Sequence, residues 1–418
     1  MFKKLTQFNY FNPILSLIII ILGFLFYPQK TDIYQPKNKI LGENITAIKR
    51  HTGNPKIANY YLSSDQNFDY QKLASYDLVI LPIDTQIYNQ EFFVYARTYN
   101  PDIIILAYTP IQSVYTGSLN DQNSFNYKLN QDIKKDWWLK DPAGNLISSW
   151  PQVQNINITS GWQNWFPSFV QNKILSNGLW DGIFYDMTDK EINWLNNGNL
   201  DLNNDGQKDV AKTMNTSWQT AMENILATSR KIFAKNIKIV LNGSVDENWL
   251  KYINGIMLEN FPTPWLGDNW SASMNLLKKY QQKIPAGQQK IFILNSLSQE
   301  IDTQKNRFHL VSALLENIYF SSDQSIAQHE DLRWFSEYDL NLGQPLNQAY
   351  NLLTKKQTSY ASGVWRRDYQ KAIVLVNSTG KKQKIKLEKN YQKINNTDLI
   401  KEIVLAPEDG IILLNPTK

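Results

Sequence analysis

The strongest constraint on this chain is a recurrence. Short runs rich in Ile, Leu and Val return along its middle, with helix-patterned stretches between them. They occupy residues 57–62, 78–82, 103–108, 182–186, 237–241, 256–259 and 291–294, and a weaker eighth run lies around 325–329. Most positions within them are apolar, whereas a strand with one wet face would alternate, so they read as strands buried on both faces. Amphipathic stretches at 163–176, 213–233 and 307–320 read as helices between them. Strand and helix in repeated order imply parallel strands joined by crossovers. Eight such units in about 300 residues is the size of a (β/α)8 TIM barrel, an α/β fold.

Beyond Gly343 and Pro345 the texture changes. Residues 360–367, 372–377, 384–388 and 410–414 read as short strands with turn signals at 377–380 and 407–410. They predict a small C-terminal antiparallel β domain, drawn as a β-sandwich over 346–418 behind a barrel over 49–345.

The start of the chain has a different character. Lys3 and Lys4 precede an unbroken apolar run at 14–27, then Pro28 and a polar stretch without periodicity. Phe26, Tyr27 and Pro28 stand where a leader peptidase would need small residues. Residues 1–30 therefore read as an uncleaved signal-anchor, an N-terminal membrane-anchor helix, and 31–48 as a linker. The basic end stays inside and the rest lies on the extracytoplasmic face. A cleaved signal peptide, giving a secreted protein, is the alternative.

Composition removes several classes of function. The 418 residues include no Cys, so thiol catalysis, disulfides and thiolate metal sites are excluded. The formal net charge of +5 comes from dispersed Lys without an arginine-rich stripe, which argues against a nucleic-acid partner. No glycine fingerprint for a nucleotide cofactor and no Gly-x-Ser-x-Gly elbow is present. The three His, at 51, 309 and 329, have no metal-ligand spacing. The 13 Trp and 22 Tyr are an aromatic surplus that suits a sugar-binding cleft. Trp137, Trp138, Trp162, Trp165, Trp265 and Trp270 are candidate stacking platforms, most of them expected to be packing residues.

In a barrel of this kind chemistry is built at the C-terminal ends of the strands. The fourth run, Gly182-Ile183-Phe184-Tyr185-Asp186, and the sixth, Gly255-Ile256-Met257-Leu258-Glu259, each finish on a carboxylate. Two carboxylates at one mouth are what glycoside cleavage requires. One protonates the leaving oxygen, and the other attacks the anomeric carbon or activates water. Asp186 could instead be a helix cap, but Glu259, behind four apolar residues, fits that role poorly. Asp84, Tyr108, Tyr185, Asn242, Asn260 and Asn295 lie at or beside strand ends and are candidates for binding sugar hydroxyls.

A second motif follows the fourth run. Asp201, Asn203, Asp205, Gln207 and Asp209, with Gly206 at the turn, match the first nine positions of a calcium loop. Lys212 replaces the twelfth-position carboxylate, so a Ca2+ site would need a ligand from elsewhere, such as Asp189 or Glu191. Otherwise this is a polar loop satisfied by its own backbone. No cofactor is required by the chemistry above.

Several segments together resemble a known family. Leu179–Asp186, the Asp/Asn/Gly loop behind it, Leu258-Glu259-Asn260, Leu342-Gly343-Gln344-Pro345, Val364-Trp365-Arg366-Arg367 and Val374-Leu375-Val376-Asn377 resemble hypothetical glycosyl hydrolase family 15. More distantly the barrel is similar to glycoside hydrolase family 114, the endo-α-1,4-polygalactosaminidases. The resemblance implies a barrel with a small C-terminal β domain and a carboxylate pair at the fourth and sixth strand ends. From family 114 it implies that Asp186 is the nucleophile and Glu259 the acid/base. The expected function is cleavage of an α-linked extracellular or cell-surface polysaccharide. A barrel that binds or assembles glycan without turnover is the rival, and transglycosylation by the same carboxylates is a third reading.

Overall fold

The computed structural model describes residues 46–48, 50, 53–63, 68–117, 121–298, 303–324, 329–354, 358–394 and 398–416. The expected anchor at 1–30 and most of the linker at 31–48 lie outside them, as does His51. The chain divides into two units, Met1–Lys39 and Ile40–Lys418, and all that follows concerns the second. Among the described residues no helix is long and apolar enough to cross a membrane.

Eight parallel strands form one sheet in sequence order. They are β1 Ala58–Tyr60, β2 Leu78–Pro82, β3 Ile104–Pro110, β4 Gly182–Asp186, β5 Lys238–Asn242, β6 Gly255–Leu258, β7 Ile293–Leu297 and β8 Tyr319–Asp323. A parallel bridge between Ile57 and Phe320 brings the two edges together, so the sheet is a nearly closed TIM-like barrel. Helices α1 Tyr70–Ala74, α2 Gln90–Tyr99, α3 Trp162–Phe169, α4 Ala211–Ile232, α5 Trp270–Lys283 and α6 Thr303–Glu316 occupy the crossovers after β1, β2, β3, β4, β6 and β7. After β5 a 3-10 segment, Glu247–Tyr252, takes the helix's place.

The eighth strand is not where the sequence pattern suggested. It runs over Tyr319–Asp323, inside and just beyond the stretch read as the end of a helix, and residues 325–328 of the run expected at 325–329 lie outside the described residues. The cause is Asn317, whose φ of 53° puts it in the left-handed region that ends a helix. The apolar start of β8 continues the apolar face of α6, and over so few residues the two periodicities are indistinguishable.

Side chains alternate between the barrel interior and the helix layer, as the pleat demands. Ala58, Tyr60, Leu78, Ile80, Ile104, Leu106, Phe184, Val240, Met257 and Ile293 fill the interior. Continuing by two places along the same strands leads to Tyr108, Asp186, Asn242, Glu259 and Asn295. The polar site is the top layer of the barrel's own packing. The opposite parity, including Ile183, Tyr185, Leu241 and Ile256, belongs to the larger core shared with the helices.

Two features decorate the barrel. Between β3 and α3 a three-stranded antiparallel sheet, Ser113–Tyr115, Val153–Asn155 and Ser148–Trp150 in spatial order, builds a lobe that the sequence reading did not contain. After the barrel come β9 Tyr350–Asn351, β10 Val364–Asp368, β11 Ala372–Asn377, β12 Gln383–Lys393, β13 Leu399–Leu405 and β14 Asp409–Leu414. These six strands are hydrogen-bonded into one antiparallel sheet, ordered β9-β10-β11-β14-β12-β13, and not into the two separate sheets of the sandwich expected over 346–418. β12 joins β14 through Gln392 and Lys393, and a small core of Val364, Ile373, Leu375 and Leu413 with Ile385, Leu387, Ile403 and Leu405 is shared across that seam. The alternate residues Ala372, Val374, Val376 and Ile412 join the barrel's own core. There the sheet meets α6 so closely that a Cβ on Gly410 would lie 2.9 Å from the Val311 side chain.

Candidate active site

Both carboxylate-bearing runs begin on glycine because neighbouring strands leave no room for a side chain. A Cβ on Gly182 would sit 2.3 Å from the Lys238 carbonyl oxygen, and one on Gly255 would sit 1.6 Å from that of Ile291. From those fixed starts the pleat carries Asp186 and Glu259 to the same end of the barrel, facing inward, each with part of its surface open to solvent.

Asp186 is held by three donors. The Tyr108 hydroxyl donates to Oδ2 at 2.8 Å, while the Met187 N–H and the Asn242 amide donate to Oδ1 at 2.7 and 2.9 Å. The same Asn242 nitrogen donates to Glu259 Oε2 at 2.7 Å. An amide nitrogen has two hydrogens, so Asn242 can serve both carboxylates at once. The two legs, 2.9 and 2.7 Å, bound the separation of the oxygens they reach at 5.6 Å.

Burial pushes the pKa of both carboxyls up. For Asp186 the donors Tyr108, Met187 and Asn242 and the charge of His329 pull in the other direction. For Glu259 the charges of Asp186 and Asp323 add to burial, and the charge of His329 and the bond from Asn242 oppose them. The Tyr108 phenol is itself raised well above its ordinary value by burial and by Asp186, which keeps it a donor.

Not every residue picked out from the sequence belongs to this cluster. Asn260 takes a left-handed backbone conformation beside Glu259, and its N–H points to Asn295 Oδ1 at 3.5 Å. Asn295 is fully buried and donates to Asp323 Oδ2 at 2.8 Å, so it positions a protein carboxylate and not a sugar. Tyr185 faces outward, its hydroxyl 3.0 Å from Ser229 on α4, as a neighbour of the inward Asp186 must. Asp84 turns into the lobe, where its oxygens accept from Ser124 Oγ at 2.9 Å and Phe125 N at 2.6 Å and brace the start of the helix Phe125–Asp132. Trp137, Trp162 and Trp270 are buried packing residues, Trp138 and Trp165 pack against the core, and Trp265 stands exposed.

Two residues the sequence reading missed, or touched only in passing, complete the interior layer. Asp323 ends β8 as Asp186 ends β4, and was hidden by the misplaced strand. Tyr60 packs its ring 5.8 Å from Tyr108 and 4.2 Å from His329.

The calcium-like loop closes on itself. Asp201 accepts the N–H groups of Asp205 and Gly206, Asp205 that of Gln207, Asn203 that of Asp205, and Asp209 that of Leu202. Among the described residues no three His, Cys, Asp or Glu side chains are grouped so as to hold a metal ion. The Ca2+ expectation stands on the sequence pattern alone.

A nearly closed parallel barrel with paired carboxylates at the ends of its fourth and sixth strands defines the class: a (β/α)8 protein with the constellation used on glycosidic bonds. The family follows from the sequence match. The profile of hypothetical glycosyl hydrolase family 15 matches residues 97–373, well over half of the chain, and the chain belongs to that family. No curated protein matches the sequence. Among solved structures the chain is similar to the glycoside hydrolase domain of PelA from Pseudomonas aeruginosa, with 11% identity and a TM-score of 0.42, over 65% of this chain and 96% of that one. It is also similar to an Anoxybacillus alpha-amylase, with 12% identity and a TM-score of 0.46 over 86% and 98%. A third is the GH36 alpha-galactosidase AgaA of Geobacillus stearothermophilus, with 10% identity and a TM-score of 0.47 over 86% and 55%. At such identities and TM-scores none of the three bears on substrate or mechanism.

Proposed function

We propose that the protein hydrolyses an α-linked extracellular or cell-surface polysaccharide with retention of configuration, Asp186 acting as nucleophile and Glu259 as general acid/base. The observation that carries this reading is the Asn242 bridge. Carboxyls about 5–5.5 Å apart suit attack on the anomeric carbon, whereas inversion needs about 6.5–9.5 Å to admit a water. One oxygen of each carboxyl lies within 5.6 Å of the other through Asn242, a close approach that supports the former. The α linkage and the assignment of roles rest on the likeness to family 114.

In the first step a carboxylate oxygen of Asp186 bonds to the anomeric carbon as the glycosidic bond breaks, and Glu259 gives its proton to the departing oxygen. In the second step water attacks the same carbon, Glu259 takes the water's proton, and the bond to Asp186 breaks. Asp186, with three donors, suits the ionised role, and Glu259, buried beside a negative charge, suits the protonated one. Attachment by residues 1–30 would place this chemistry on the extracytoplasmic face.

The test is release of reducing ends by the protein from α-linked galactosaminan and a panel of bacterial surface polysaccharides, beside Asp186→Asn and Glu259→Gln. Turnover by the parent and by neither variant supports the reading. Glycan binding unaffected by Asp186→Asn, with no turnover, would replace it with a binding function.

A further inference from the structure

The Asp186–Glu259 pair is not the whole ionisable set inside the ring of strand ends. Asp323, its side chain 2% exposed, accepts from Asn295 Nδ2 at 2.8 Å and faces His329 Nδ1 at 3.0 Å. His329 is pinned on two further sides. Its carbonyl oxygen accepts the Leu62 N–H at 2.7 Å, and its ring lies 4.2 Å from that of Tyr60. Asp323 at the end of β8 is thus in contact with the imidazole, and Asp186 and Glu259, at the ends of β4 and β6, belong to the same inward layer of the barrel. Among the described residues no Lys or Arg forms an ion pair with Asp186, Glu259 or Asp323. Three uncompensated negative charges in so enclosed a place would be costly, and the group that can offset them is His329.

We propose that His329, clamped by Asp323, is an imidazolium that acts as the counter-cation of the site and holds Asp186 in its carboxylate form. It is a positioning residue, acting through Asp186. Its part in turnover rests on the glycosidase reading above, but its charge does not. Asp323 from β8 and Tyr60 from β1 touch it, with Tyr108 of β3 against Tyr60, and the charges that act on it are those of Asp323, Glu259 of β6 and Asp186 of β4. Burial alone would push the imidazolium toward neutrality. The bond to Asp323 and the charges of Asp323, Glu259 and Asp186 outweigh it, and the net direction is upward. The effect is reciprocal, since His329 draws both active-site carboxyls down. With the proton on Glu259, the set of Asp186, Glu259, Asp323 and His329 carries one net negative charge, which a positively charged sugar at the transition state would neutralise.

The sequence makes this measurable, because it holds only three histidines. Ring signals of the full-length protein can be followed by NMR against pH, with that of His329 identified by its loss in His329→Gln. We expect His329 to titrate above the ordinary value of about 6.5 and to move down when Asp186→Asn removes a negative charge that acts on it. His309, buried and pushed down to about 3, reports that the fold is intact by staying neutral. In turnover, His329→Gln should move both limbs of the kcat/KM profile to higher pH, which lost packing alone would not do. A His329 that titrates at or below the ordinary value, or ignores Asp186→Asn while His309 is unchanged, overturns the proposal. The coupling seen in a chain that cleaves no glycan would uphold it and count against the glycosidase reading; its absence from an active enzyme would do the reverse.

Discussion

The hydroxyl of Tyr108 donates to Asp186 Oδ2 across 2.8 Å, although Tyr108 stands in register with Phe184, two residues before Asp186. The donor stabilises the carboxylate over the acid. In Tyr108→Phe we expect the Asp186 pKa to rise, so the acidic limb of kcat/KM moves to higher pH, and kcat to fall by about 10- to 100-fold. Thermal stability should change little, because a hydroxyl and not a ring is lost. A profile that keeps its limbs would leave Tyr108 as a wall of the cleft.

Asn242 serves two acceptors with one nitrogen, so its removal acts on both. Asn242→Ala should raise both pKa values and cut kcat by about 100-fold with little effect on glycan affinity. Equilibrium binding to the inactive double variants Asp186→Asn/Asn242→Ala and Asp186→Asn/Asn242→Gln checks the second half. Affinity lost with Ala would make Asn242 a sugar ligand.

The raised Glu259 carries a stability signature. In the window between its unfolded and folded pKa the native state binds more protons, so its contribution is present below the unfolded value and lost as pH rises through the folded one. Glu259→Gln should therefore be more stable than the parent at pH 8, on the order of 1 kcal/mol, with the gain fading below pH ~4. Denaturant melts at the two pH values decide it, and equal gains at both would refute the assignment.

Asp84 spends its oxygens on Ser124 and Phe125. Asp84→Ala should cost about 1–3 kcal/mol by leaving buried donors without an acceptor, yet spare KM in the protein that remains folded. A raised KM at unchanged stability would restore it to the cleft.

Gly255 has a carbonyl oxygen where its Cβ would be. Gly255→Ala should destabilise by about 3 kcal/mol or more, whereas Ala at Gly380, which has open space around it, should be nearly silent. Comparison of the two melts isolates the close approach from the general effect of losing glycine.

How far the sequence could be read follows from what each element depends on. The place of Asp186 and Glu259 at two strand ends was legible because an apolar strand that ends on a carboxylate needs only local information. Alternation within the strand would have set Tyr185 aside, since it must face away from its neighbour. Asp84 could not be read: the groups that claim it, Ser124 to Asn126, are far along the chain, across the lobe. Asp323 was hidden because the stop of α6 at Asn317 left no break between two apolar stretches. The lobe's strands are three residues each, too short to show a period.

Val374, Val376 and Ile412 of the last sheet lie in the same core as Leu310, Val311 and Leu314 of α6. A ribosome delivers α6 and β8 well before the strands that cover them. Until residues near 412 emerge, the corner of the barrel carrying Asp323 and His329 has an apolar flank and no partner for it. Making the sheet thus also covers that flank, and a nascent chain cut short at the barrel's apparent end would be a client for chaperones and not a smaller enzyme.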